Sequence, residues 1–348
     1  MEARITFYQI KRCGLYVRSK HGGSSSEKFL NVKELLEDLK QWAIGKTLAD
    51  TDVFKNKNNS SFCTYLADIK TNTDSALLVM WNQVPSTEAG VLSLPNNSTV
   101  GSIQQADANA IKANSIPGYP TYFWFVPSKN IFATICFNTI INGRGDMEKY
   151  IRQFMKLFSK HVIKELDQQS NQLEVKGYSL DPNNPQETIY KYPPTFQSQL
   201  YPLSQGLDVL KNRAPEIKKI TKKATAEYRT EISKKFFQKA LAMFTGIKRT
   251  PSASDTFSIN TEISIPNGLT AQEVQGLYDE WLDDISSLHS LDYGFAMLGG
   301  EQLWFSHALA KWEGELSLSF TEQNSFGNMG KLLSELENKR TAILSKIS

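Results

Sequence analysis

The sequence predicts an α+β protein in which antiparallel hairpins pack with amphipathic helices in two domains. Three observations predict it. Runs dense in aromatic and β-branched residues come in pairs split by turn residues, as in Tyr119 to Val126 and Ile131 to Ile141 around Pro127-Ser128-Lys129-Asn130. Other stretches carry apolar residues at helical spacing, as in Val32, Leu35, Leu36, Leu39 and Trp42. The 348 residues include nineteen Phe, thirteen Tyr and six Trp, ample material for more than one core and far too much for a disordered chain.

Taken in order, Ile5 to Val17 reads as a strand pair or one long strand, and His21-Gly22-Gly23-Ser24-Ser25-Ser26 as a loop tip. Asn31 reads as the N-cap of the helix that follows. Thr64 to Lys70 and Ala76 to Val84 form a hairpin across Thr71-Asn72-Thr73-Asp74, and the polar segment Pro85 to Ala113 reads as a long loop. After the aromatic hairpin, Met147 to Leu166 reads as an amphipathic helix with Asp146 as its N-cap and His161 on its surface. A short strand is expected near Leu173 to Tyr178. A long helix or helix pair runs from about Leu207 to Gly246, since Ile217, Ile220, Ala224, Tyr228 and Ile232 recur at about 100° per residue. Asp255 to Ile265 alternates as a strand, and Thr270-Ala271-Gln272-Glu273 opens a helix with a capping box. Further strands are expected at Gly294 to Leu298, Leu303 to Ala308 and Glu315 to Phe320, with a terminal helix over Gly330 to Ile347. The domain boundaries that follow are an N-terminal α+β domain over 1–166, a linker over 167–206 around Tyr192-Pro193-Pro194, and a C-terminal α+β domain with a basic helix over 207–348.

No apolar stretch approaches the roughly 20 residues of a spanning helix, and the alternating N-terminus has no signal-peptide apolar core. The expected location is cytoplasmic. Cys13, Cys63 and Cys136 are unpaired in pattern and read as buried thiols in a reducing compartment. The four histidines and three cysteines show no zinc-ligand spacing, so neither a metal site nor a cofactor is expected.

The net charge of +3 hides a separation. From Lys211 to Arg249 there are twelve Lys or Arg against three Glu, whereas from Glu262 to Glu322 there are eleven acids against the single base Lys311. On the expected helix Lys218, Lys219, Lys222, Lys223, Arg229 and Lys234 make a cationic strip suited to the phosphates of duplex DNA, which it would hold by counterion release without reading sequence. The plainer alternative is a solvated helix face balanced by the acidic region. The aromatics from Tyr119 to Phe137 could stack bases, but read first as core.

No catalytic residue and no small-molecule substrate are assigned, because neither a Gly-x-Ser-x-Gly elbow nor a Walker loop is present. One alternative is a metal-dependent nuclease of PD-(D/E)xK type, with Glu174 and Lys176 in a β-like stretch and Asp167 placed to share a Mg²⁺. Leu66-Ala67-Asp68-Ile69-Lys70 is a similar short match. Another is a protein-interaction module in which the acidic region from Glu262 to Glu322 docks a basic partner or the basic helix of a second copy.

The stretch Ser115-Ile116-Pro117-Gly118-Tyr119-Pro120-Thr121-Tyr122-Phe123-Trp124-Phe125, with Ile131-Phe132-Ala133 beyond the turn, resembles the Gly-aromatic-Pro-Ser/Thr hairpin of phage lambda RexA-like exclusion proteins. Ile217-Lys218-Lys219-Ile220-Thr221-Lys222 is similar to the basic Ile-Lys-Lys helix in the second half of that family. The KwaB-type proteins of Kiwa defence systems are a comparable family. The resemblance implies a cytoplasmic, homodimeric, DNA-binding component of a phage-exclusion system that works with a membrane effector protein. It implies phosphate contacts at Lys218, Lys219, Lys222 and Lys223.

Overall fold

A computed structural model describes residues 1–17, 26–54, 63–84, 92–103, 106, 113–137, 142–167, 171–184, 189–227, 256–284, 290–318 and 327–347. The fold is α+β with mostly antiparallel sheets. It groups into two compact units, Met1–Gln199 with Trp312–Leu344, and Leu200–Lys311 with Ser345–Ser348.

The first unit is built on a large sheet. Its strands are β1 (Glu2–Val17), β2 (Ser26–Phe29), β3 (Thr64–Thr71), β4 (Ala76–Gln83), β5 (Leu92–Pro95), β6 (Ser115–Val126), β7 (Ile131–Phe137), β11 (Thr195–Leu200) and β16 (Lys311–Glu315). The described order is β11-β1-β7-β6-β4-β3, with β2 and β16 also on β1 and β5 on β6. The aromatic hairpin forms as its sequence predicts: Asn130 takes the left-handed conformation at the turn (φ 53°), and Tyr122 pairs with Ile135 through to Val126 with Ile131. Phe123, Trp124, Phe125 and Phe132 are completely buried, so these rings are core. Helix α1 (Val32–Ala43) starts from the expected N-cap Asn31, which makes a full capping box: Glu34 N–H donates to Asn31 Oδ1 (3.0 Å) and Asn31 N–H to Glu34 Oε2 (3.1 Å). Its Trp42 meets Phe154 of α2 (Arg144–Leu157) at 5.3 Å between ring centres.

Two expectations fail at α2. Its N-cap is Gly143 at φ 62°, not Asp146, a position that suits glycine because its φ is positive and a Cβ there would lie 2.6 Å from the Thr121 side chain. The helix also ends at Leu157, and the rest of the expected helix is β8 (Val162–Asp167), which pairs with β9 (Gln172–Ser179) and through it β10 (Ile189–Tyr190). Asp38 of α1 anchors the intervening turn, accepting from Ser159 Oγ (2.6 Å) and Lys160 N–H (3.2 Å). His161 is consequently buried, with Nδ1 2.9 Å from the Ser179 carbonyl, rather than on the surface. Residues 167–206, expected as a linker, contain β9, β10 and β11, and α5 (Met329–Asn338) and α6 (Arg340–Leu344) group with the first unit.

The second unit holds a four-stranded antiparallel sheet in the order β13 (Thr256–Ser264), β12 (Ile217–Glu227), β14 (Ser290–Met297), β15 (Gln302–Trp304). Helices α3 (Ser204–Asn212) and α4 (Ala271–Asp284) accompany it. Val274, Tyr278 and Trp281 of α4 are buried, and the Trp281 indole N–H donates to the Leu291 carbonyl (2.8 Å). Phe305 centres this core, with rings of Phe295, Tyr278 and Trp281 at 4.7, 5.1 and 5.2 Å.

Candidate nucleic-acid interface

The lysine run lies on a strand, which corrects the expected basic helix. Pro215, in the 3-10 turn Ala214–Glu216, stops α3 at Asn212 because it has no N–H to continue the ladder. The β-branched residues Ile217, Ile220 and Thr221 then favour an extended chain. The three-residue spacing of Ile217 and Ile220 imitates a helical stripe, and would put them on opposite faces of a regular strand. A bulge resolves this. Ile217 pairs with Met297 and Lys219 with Ala296, so Lys218 is an extra residue that resets the alternation. Ile217 and Ile220 thus face the same buried layer, at 0% and 8% exposure.

Beyond the bulge the lysines separate. Ile220 and Lys222 oppose Phe295 and Tyr293 on the face that α4 covers, and Lys222 Nζ stands 5.1 Å from the centre of the Tyr293 ring, a cation–π contact. Lys219, Thr221 and Lys223 occupy the other face. Lys218, at the bulge, donates to the Pro266 carbonyl (3.2 Å). Lys219 pairs with Glu262 of β13 at 2.8 Å, both side chains about half exposed. Lys223 is exposed, and among the described residues no acid pairs with it. Arg229 and Lys234 lie outside the described residues.

The acid-rich stretch does reach this segment. Glu262 meets Lys219, and Glu301 on the β14–β15 turn meets Arg213 at 2.5 Å, which Glu216 also holds at 2.8 Å. Asp292, opposite Lys223 in register, accepts from Tyr293 and Ser306 N–H groups at 2.9 and 3.0 Å, while burial raises its pKa above the ordinary Asp value. The open face is therefore of mixed sign, with Lys219 and Lys223 as its cations.

Trp304, within the stretch expected as a strand over Leu303 to Ala308, completes this face. Gly294 pairs with both Trp304 and Thr221, and a Cβ at Gly294 would collide with the indole. A glycine between two strand residues was the available signal.

The nuclease candidates gather less. Glu174 is exposed on β9, and Lys176 pairs with Glu165 of β8 at 2.7 Å. Asp167 stands opposite Gln172, one pair beyond Leu166 and Leu173 and two beyond Glu165 and Glu174. Asp68 is buried at a β3 bulge beside Lys70 (3.3 Å), with its pKa raised by burial. No group of three or more metal-ligating side chains occurs among the described residues, and none of their helices is long and apolar enough to cross a membrane. Comparison with protein-family models, with curated proteins and with solved structures finds no match.

Proposed function

We propose that this protein is a non-enzymatic, largely sequence-nonspecific DNA-binding protein whose phosphate contacts come from the lysines of β12. The observation that carries this is the open sheet face on which Lys219 and Lys223 flank Thr221, away from the face that α4 covers. Such cations release the counterions condensed on a nucleic acid and gain affinity that does not depend on sequence. A cytoplasmic role in phage exclusion, a homodimer and a membrane effector partner rest on the resemblance to RexA-like proteins.

The test is a fluorescence-anisotropy titration of labelled duplex DNA with the full chain, at low and at physiological salt and without metal. The expected result is binding whose logarithm falls linearly with log salt, by about 0.9 per phosphate neutralised. The double variant Lys219→Glu/Lys223→Glu should lose most of it. No binding at low salt would mean that Glu262 and its neighbours neutralise the face, leaving protein interaction as the better reading. Plasmid nicking with Mg²⁺ that Glu174→Ala abolishes would instead establish the nuclease.

A further inference from the structure

The lysine face of the four-stranded sheet also carries a ring whose orientation can be fixed. A Cβ built on Gly294 would stand 2.9 Å from each of Cζ2, Cη2 and Cζ3 of Trp304. These three atoms belong to one six-membered ring, and any point equidistant from them lies on the axis through the ring's centre. The indole therefore lies flat over Gly294, one π-face against β14 and the other turned away from the sheet. Trp304 is half-buried, and among the described residues no second ring stacks on it. Thr221, directly opposite Gly294, is buried. Lys219 and Lys223 are then the diagonal neighbours of Gly294, about 7–8 Å away.

We infer that this face binds single-stranded nucleic acid, with one base stacked on Trp304 and the adjoining phosphates held by Lys219 and Lys223. The inference rests on the nucleic-acid reading above and names its substrate class. In a duplex every base already stacks on its neighbours, and its grooves admit a helix or a two-stranded ribbon rather than the flat of a sheet. Charge alone gains affinity phosphate by phosphate, and among the described residues this face offers Lys219, which it shares with Glu262, and Lys223. Stacking supplies what so few charges lack, about 5- to 150-fold in affinity per base, and every base has the π-face it needs. The competing role for Trp304 is to cover a glycine in a sheet, which needs an apolar side chain but no base.

The full chain is titrated with three probes carrying equal numbers of phosphates: oligothymidylate, an abasic deoxyribose-phosphate oligomer, and duplex DNA. Oligothymidylate is expected to bind most tightly, about 5- to 150-fold better than the abasic oligomer. Trp304→Leu should lose that margin with its salt slope unchanged, and Trp304→Phe should keep most of it. Lys223→Gln should reduce the single-strand slope by about 0.7. Equal binding of the abasic and base-bearing oligomers by the unaltered protein overturns the inference without any variant. So does a folded Trp304→Leu that binds oligothymidylate as the parent does. In either case a loss in Lys223→Gln leaves the phosphate reading standing alone. If none of the three probes binds at low salt, both readings fall.

Discussion

Strands β7 and β12 show two ways of using a sheet. All seven residues of β7 are buried, and β4 is buried everywhere except Gln83, so the sheet that holds them is covered on both faces there. Along β12 Ile217, Ile220 and Thr221 are buried, while Lys218, Lys219 and Lys222 are half exposed and Lys223 is open to solvent. A strand buried on both faces gives every side chain to packing and none to a ligand. A strand covered on one face supports itself with half its residues and presents the rest. The first arrangement concentrates stability and the second makes a site possible.

The contrast is broken most directly by cutting into each strand in turn. Phe132 of β7 is completely buried, its ring 5.0 Å from Tyr8, 5.2 Å from Phe125, 6.2 Å from Phe196 and 6.3 Å from Phe123. Phe132→Ala should cost about 3–5 kcal/mol through lost burial and the cavity left behind. Lys223→Gln, on the open face, should stay within about 0.5 kcal/mol. Urea denaturation midpoints measure both, and similar losses would show that the two sheets are not differently employed.

Ion pairs repeat the comparison. Glu148 of α2 accepts from Ser198 Oγ, from Arg144 Nε at 3.0 Å and from Arg152 Nη1 at 3.3 Å, with its own side chain 12% exposed and that of Arg144 11%. The arginines also donate to the Ser198 and Phe196 carbonyls, at 2.8 and 2.9 Å, so this cluster clamps β11 to α2. Glu148→Ala would leave the Arg144 guanidinium buried without its carboxylate, beside the Tyr8 ring at 5.0 Å. The expected loss is about 3 kcal/mol, against about 1 kcal/mol at most for any half-exposed pair on β12. A midpoint in Glu148→Ala close to that of the unaltered protein would remove the clamp from the account.

A smaller effect concerns pH, since burial raises the pKa of Asp68 on β3 and of Asp292 on β14. The folded state therefore holds these protons more tightly than the unfolded chain. Stability from this source is full below the ordinary Asp value of about 3.9, and is lost as pH rises through the raised folded values. Glu273 works in the opposite sense: hydrogen bonds from Thr270 lower its pKa, so its contribution is lost as pH falls. Asp68→Asn and Asp292→Asn should each flatten the decline with rising pH, read as the difference in denaturation midpoint from the unaltered protein across mildly acidic pH. A difference that does not change with pH would contradict the assignment.

How far the sequence reveals each sheet follows from the same contrast. Strands β6 and β7 are legible because aromatic and β-branched residues crowd both faces, leaving no competing helical pattern. The N-cap at Asn31 and the capping box at Thr270 are legible because they are local chemistry, complete within four residues. Strand β12 is not. Lysine is a good helix former, and the bulge at Lys218 gives Ile217 and Ile220 a helical spacing that only pairing with Met297 and Ala296 explains. Pro215 was the local sign that α3 ends before the lysines begin. Trp304 and Gly294 stand ten residues apart across a turn, and their stacking depends on strand register, which composition does not carry.

Glu262→Gln sharpens the comparison at least cost to the fold. Glu262 stands opposite Thr221 on β13 and reaches diagonally to Lys219, with 56% and 42% of the two side chains exposed. Exposed pairs of this kind contribute about 0.2–1 kcal/mol, so the denaturation midpoint should hardly move. The face, however, loses a negative charge and frees a lysine. Affinity for a polyanion should rise, and the salt slope should steepen by up to about 0.7 for a single strand or 0.9 for a duplex. That pairing of unchanged stability with stronger binding cannot come from a buried pair such as Glu148 with Arg144, where losing the acid weakens the fold first. Unchanged affinity and slope in Glu262→Gln would mean that Lys219 contacts no phosphate, leaving Lys223 as the only described cation of that face to do so.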